Sequence, residues 1–316
     1  MSIKKISSKS ISKIILSGEH AVVYGTPAIA LPVFNINSEV SLYSYSESPV
    51  IEINAKQIDK IFHLNLKEEK EIYHPIETTV LNFFKKYKIN LSEKLILDIN
   101  SNIPIASGMG SSASITSSII KVLSKYYAIN ISKDELFELV FEIEKIYHGN
   151  PSGIDPKVIV YEKPVYFIKD KTIEFLDIKT KFALIILDSK IKASTKDIVN
   201  MLARERNLNL DKYNLIFEKI GEITEKIKKY LLTNDLESIG KLLDENHKYL
   251  QEINVSSQIL DNLFLKLKFA NCLGSKLSGA GKGGIVIGIV AIDGLDTVIK
   301  NLKTLDIQNI KFCIYK

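Results

Sequence analysis

Residues 104–113 read Pro-Ile-Ala-Ser-Gly-Met-Gly-Ser-Ser-Ala, and where this small-residue loop sits decides the fold. Upstream, LILDIN at 95–100 alternates as a strand does; downstream, Ile115, Ile119, Val122, Leu123 and Tyr126 recur at helical spacing, so the loop opens a helix. A loop so placed is an anion trap. Glycines let backbone N–H groups turn toward a ligand, and the first helical amides, with the positive end of the helix dipole, favour phosphate. Ser111 and Ser112 add hydroxyls suited to phosphate or a metal. The same residues also suit an ordinary N-cap with glycines for tight packing, and other segments must separate the two readings.

At 316 residues the chain exceeds one average domain, and two domains are expected. Apolar residues at 46% and charged residues at 25% are ordinary globular usage, and no stretch has the composition of a disordered tail. The most apolar run, 283–292, is far short of the roughly 18 residues that span a bilayer, and the N-terminus lacks a basic-then-apolar signal, so a cytoplasmic protein off the membrane is expected. The net charge of +5 is spread without a basic block, which gives nucleic-acid binding no support and suits a small anionic substrate. Arg204 and Arg206 are the only arginines among 42 basic residues, so a phosphate or carboxylate clamp must use lysines and backbone amides. Cys272 and Cys313 lie in apolar segments without CxxC spacing and read as buried free thiols.

Patterning predicts strands over 13–17, 39–45, 50–54, 158–161, 165–168, 172–175 and 182–188, and helices over 75–87 and 132–147. Ser132 is the expected N-cap of the second helix, with Glu135 three residues on. A domain boundary is placed at about 178, giving domains 1–178 and 179–316. Beyond it come helices over 194–205, 212–231, 235–251 and 257–267, a small-residue loop over 274–284, a strand over 285–292, a helix over 295–303 and a closing strand over 310–315. Strands and helices mixed without strict alternation favour an α+β fold.

Three further segments carry chemistry. KIILSGEHAVVYG at 13–25 ends a strand in Ser-Gly-Glu-His, where Lys13 and His20 read either as site residues or as an edge charge and a satisfied histidine. EKIYHGNPSGID at 144–155 brackets a turn with Glu144 and Asp155; two carboxylates so placed suit a metal ligand and a base, or else surface solvation and turn capping. His148 reads as a turn hydrogen-bonder, no second histidine lying at ligand spacing. GSKLSGAGKGG at 274–284 matches G-x-G-x-x-G, yet strand-like IVIGIVAI follows where a dinucleotide fingerprint demands a helix. The match at 108–113 lacks an acidic strand end about 20 residues on. A Walker A loop fails because glycine follows Lys282. What remains is a turn that packs tightly or covers a nucleotide.

Together these motifs resemble the three of the kinase superfamily of galactokinase, homoserine kinase, mevalonate kinase and phosphomevalonate kinase. GEHAVVYG at 18–25 and HGNPSGID at 148–155 are most similar to the mevalonate kinase branch, and LLDENHKYLQEINVSS at 242–257 resembles the helix-turn before its last glycine motif. The resemblance implies an N-terminal ribosomal protein S5 domain-2-like domain, a C-terminal ferredoxin-like domain, and ATP and mevalonate meeting in the cleft between them. It implies that Pro104, Ser107, Gly108, Met109, Gly110, Ser111, Ser112 and Ala113 cradle the ATP phosphates, and that Ser112 and Glu144 hold Mg2+. Asp155 would be the base toward the 5-hydroxyl, and Lys13 would pair with it. Glu19, His20 and Lys196 would line the mevalonate pocket, and Ser278, Gly279, Ala280 and Gly281 would form the cleft glycine motif. The expected function is an ATP-dependent mevalonate kinase of isoprenoid biosynthesis, with a homodimer as the one macromolecular assembly left open. A phosphomevalonate or homoserine kinase, a nicotinamide-dependent oxidoreductase and a non-catalytic sensor are the alternatives. Two departures stand out: Ile11 and Ser12 replace the proline and glycine usual before the first-motif lysine, and Lys282 interrupts the last glycine run.

Overall fold

The computed structural model describes residues 4–66, 73–148, 151–169, 171 and 173–316. Contacts divide the chain into two units. The first holds Met1–Ser12, Ile36–Ile103 and Gly110–Glu162; the second holds Lys13–Asn35, Pro104–Met109 and Lys163–Lys316. Strands β1 (Lys4–Ser17) and β2 (Ala28–Tyr45) pair with each other, and each supplies residues to both units. Residue 178 lies in the last segment of the second unit.

In the first unit, β2 runs antiparallel to β5 (Lys94–Ser101), with Val40 opposite Ile99 and Leu42 opposite Leu97. Strand β3 (Ile51–Ala55) lies parallel to β5 and antiparallel to β4 (Lys60–Leu64). The alternation of buried and half-buried residues along β3 and β5 aims one face at helices α1 (Pro75–Lys86), α2 (Ser111–Tyr126), α3 (Lys133–His148) and α4 (Ile154–Tyr161). Leu95, Leu97, Phe83, Ile119, Leu123 and Val140 meet there in one core. Each large apolar side chain so buried stabilises the fold by about 1.5–3 kcal/mol. Helix α1 starts with a capping box between His74 and Glu77, and in α3 the N–H of Glu135 donates to Ser132 Oγ at 3.1 Å, as the sequence predicts.

In the second unit, the start of β2 pairs with β6 (Val165–Phe167), and β6 with β7 (Glu174–Phe175). A separate antiparallel sheet has the order β11 (Lys311–Tyr315), β8 (Phe182–Asp188), β10 (Ile285–Val290), β9 (Gly274–Ser278). Helices α5 (Thr195–Leu208), α6 (Leu210–Thr233), α7 (Leu236–Glu252), α8 (Gln258–Phe269) and α9 (Leu295–Thr304) complete the unit. Val286 and Val290 of β10 and Ile185 and Leu187 of β8 share a core with Ile220, Leu250 and Leu267. Both cysteines are buried and unbonded. Among the described residues no helix is long and apolar enough to cross a membrane.

Two expectations are corrected. The apolar run 158–161 is the end of helix α4, not a strand. Val158, Ile159 and Val160 are almost completely buried in succession, which leaves no 3.6-residue period to set against their β-branched composition. The stretch 274–284 is a loop only in its second half: its first half is β9, paired residue by residue with β10 from Gly274–Ile289 to Ser278–Ile285. Strand β4 was not anticipated.

Candidate active site

In the first unit the N-terminus of α2 is built as the sequence reading requires. Gly110 stands at the N-cap in the left-handed region, φ 72°, and no side chain caps the helix. Ser111 and Ser112 occupy the first turn half-buried, while Ala113 is buried against the core. The helix therefore presents its leading amides and dipole without a competing side-chain acceptor, an arrangement that favours an anion.

Glu144 and Asp155 belong to the same unit. Glu144 is buried near the C-terminal end of α3, the helix packed beside α2. A carboxylate there is opposed by the helix dipole and by desolvation, so it is held in place by something other than helix stability. Asp155 is half-buried in the first turn of α4, behind Gly153 at φ 80°, and this turn also has no side-chain cap. The intervening turn of the HGNPSGID motif includes residues 149 and 150, which lie outside the described residues, as does residue 172 of the expected strand over 172–175.

The second unit holds the first motif, Pro104–Met109 of the first glycine loop, and the later glycine motif. Lys13 is 3% exposed on β1, and its N–H donates to the carbonyl of Met109 at 3.1 Å, tying the strand to the loop. Pro104 is half-buried, and its carbonyl accepts from Ser107 Oγ at 2.8 Å, closing that loop upon itself. A Cβ on Gly108 would stand 3.2 Å from the Cα of Gly279, and one on Gly281 would overlap the carbonyl of Val255 at 2.1 Å. The glycine motif is thus required by close backbone approach. Ser278 exchanges two hydrogen bonds with Ile15, accepting from its N–H at 3.1 Å and donating to its carbonyl at 2.8 Å. Lys282 Nζ donates to Asn254 Oδ1 at 2.9 Å.

Glu19 and His20 follow the end of β1. Glu19 is buried and accepts the ammonium of Lys276, a residue of β9 with no exposed surface. Burial pushes the Glu19 carboxyl up and the Lys276 ammonium down, and their attraction pulls both back. His20 is buried with Nε2 at 2.9 Å from the carbonyl of Ala280. A carbonyl only accepts, so Nε2 carries the proton; burial lowers the ring to about 4 and keeps it neutral near pH 7. Lys196 is exposed in the first turn of α5.

Lys276 and a second polar group around β9 escape the sequence reading. His247 of α7 is fully buried, accepts the N–H of Leu277 on Nδ1 at 3.2 Å, and through Nε2 meets Asp261 Oδ1 at 3.2 Å. Desolvation lowers it to about 4, so it too is neutral. Asp261 also accepts from Ser256 Oγ at 2.5 Å. His247 lies inside the 242–257 motif, which is its only sequence signal, whereas Lys276 lies in a stretch read for its glycines.

The GHMP kinases N terminal domain family matches residues 74–163, and the GHMP kinases C terminal family matches residues 227–303. The mevalonate kinase of Methanocaldococcus jannaschii is 32% identical over 313 residues, which covers 94% of this chain and 96% of that protein. The crystal structure of the Methanococcus jannaschii mevalonate kinase superposes with a TM-score of 0.85 at 28% identity, covering 98% of each chain. The L. major mevalonate kinase in complex with R-mevalonate has the same fold, with a TM-score of 0.85 at 24% identity over 99% of this chain and 97% of that one.

Proposed function

This chain belongs to the GHMP kinase family, and on that premise we propose that it is a mevalonate kinase, moving the terminal phosphoryl group of ATP to the 5-hydroxyl of mevalonate. The observation that carries the phosphoryl-transfer reading is the glycine-led, uncapped start of α2. Near-full-length likeness to mevalonate kinases supports the acceptor. The α+β fold is that family's two-domain fold, and we keep 178 as the proposed division between a phosphate-binding part and a part that completes acceptor and nucleotide recognition.

Residue roles follow from the chemistry of each position. The loop 104–113 is proposed to hold the ATP phosphates through backbone amides, with Ser111 and Ser112 adding hydroxyls. Asp155, in the first turn of α4, is proposed as the base. Lys13 is proposed to oppose charge on the transferring phosphoryl, and Lys196 to meet the acceptor carboxylate as a point charge. His20, neutral and with Nε2 occupied, offers Nδ1 as an acceptor of a hydrogen bond. Among the described residues no cluster of three or more His, Cys, Asp or Glu is placed to hold a metal. Ser112 and Glu144 are hard oxygen donors on adjacent helices, a set that fits Mg2+, which completes its shell with phosphate oxygens and water. Mg2+ held there would offset phosphate charge. The cytoplasm is proposed from the sequence pattern, and a homodimer is the assembly left open, which sedimentation tests.

A coupled ADP-release assay with mevalonate, its 5-phosphate and homoserine, each titrated with Mg2+, tests the reading. Mg2+-dependent turnover with mevalonate far above the other two is expected. Preference for another acceptor would move the chain elsewhere in the family.

A further inference from the structure

Residues 19–21 form a γ-turn of the rarer, positive-φ kind. The N–H of Ala21 donates to the carbonyl of Glu19 at 2.7 Å, and His20 between them has φ 64° and ψ −51°. That conformation is strained for a residue with a side chain and persists only where the surroundings over-determine it. Here both side chains of the turn are tied to β9 or to the residues that follow it. Glu19 takes the Lys276 ammonium, Lys276 Nζ donates also to the carbonyl of Leu277 at 2.6 Å, and His20 Nε2 donates to Ala280. Strand β9 is itself fixed, through Ser278 on Ile15 and through Leu277 on His247.

Stabilising the fold explains such a pair poorly. Taking two charges wholly out of water costs about as much as their attraction returns, and a well-packed apolar pair would serve the core equally. What apolar contact lacks is direction. We propose that Lys276 is a positioning residue: locked on Glu19, it holds the γ-turn so that His20 keeps its Nε2–H on Ala280 and turns Nδ1, an acceptor, toward a hydroxyl of the acceptor substrate. Glu19 is then the anchor of the turn. The inference rests on His20 being an acceptor-site residue.

The test is the double variant Lys276→Met/Glu19→Gln, which removes both charges and keeps both shapes. It should fold and melt close to the parent. Its KM for mevalonate should rise roughly tenfold, as loss of one directed hydrogen bond implies, with KM for ATP nearly unchanged. In the unliganded proteins, 15N-histidine spectra, with His20 assigned through a His20→Gln variant, should show a neutral Nε2–H ring at pH 6 in the parent and a ring titrating near its ordinary value in the double variant. A folded double variant with the parental mevalonate KM, or with an unshifted His20, overturns the proposal. So does a double variant that cannot fold, since the pair would then be holding the fold. If the parent turns over no mevalonate while His20 still shifts, the clamp stands and the acceptor assignment fails.

Discussion

The start of α2 and the strand β9 are both polar and next to glycines, but they are made of opposite materials. The polar contacts of helix α2 are made by hydroxyls. Ser117 accepts from Ser10 at 2.9 Å, Ser38 meets Ser114 and Ser118 at 2.8 Å each, and Ser114 donates to the Ser10 carbonyl at 2.8 Å. Strand β9 is fixed by a buried ion pair, a neutral histidine and the carboxylate of Asp244, which accepts the N–H of Ser275 at 2.8 Å. Serines are small enough to let a helix approach a sheet, cost little to desolvate and do not titrate, so the helix start stays in place across pH. The groups around β9 are costly to bury and sensitive to protons. Such groups are justified where a single side chain must be aimed, and on the proposed roles the contrast separates a cradle that only needs to be close from a turn that needs direction.

The comparison is most strongly tested at Asp155, which sits in the same unit as the start of α2 and is proposed for the chemical step. Asp155→Asn keeps the shape and cannot take a proton, so turnover should fall about 10²–10⁴-fold with both substrates still bound. Near-parental turnover in the folded variant would return Asp155 to turn capping. In the charged region, Lys276→Met alone leaves a buried carboxylate uncompensated and should lower the unfolding free energy by about 3–5 kcal/mol in urea titrations. A loss below about 1 kcal/mol would place that pair in effective contact with water.

Acid should separate the regions next. His20 and His247 fold as neutral rings lowered to about 4 from the ordinary 6.5. Between those values the unfolded chain binds a proton on each that the folded chain refuses. Their stabilisation is therefore complete above pH 6.5 and is lost as pH falls toward 4, at about 1.4 kcal/mol per pH unit for each histidine. His247→Asn, which keeps an acceptor for Leu277, should remove roughly half of this slope; an unchanged slope would show that His247 is not held neutral. The smallest effect belongs to the serines: Ser117→Ala should cost about 1 kcal/mol, independent of pH between 4 and 7. A pH-dependent loss there would join the two regions' chemistry and end the distinction.

Much of the fold was legible because its signals are local. The capping serine of α3, the five long periodic segments after residue 190, and the strand-loop-helix around 104–113 each depend on residues within a few positions of one another, where spacing and caps act. The glycines were legible as glycines, though not their reason. Gly274 reads as a loop residue, but a Cβ there would lie 1.8 Å from the carbonyl of Gly240, so it marks a helix pressed against a strand. The end of α4 reads as a strand for the converse reason, since burial of Val158, Ile159 and Val160 in succession hides the period that would reveal a helix.

By itself the sequence determined the family and the mixed α+β class, because those are matters of residue type in order along the chain. Only the tertiary structure decided that Lys276 belongs with Glu19, 257 positions away, that His20 stands on a strained turn with its Nε2 proton on Ala280, and that His247 receives the strand carrying Lys276. A lysine in sequence carries a charge but no partner. What it does is set by which groups folding desolvates beside it, and desolvation is a property of packed neighbours, not of the order in which they were joined.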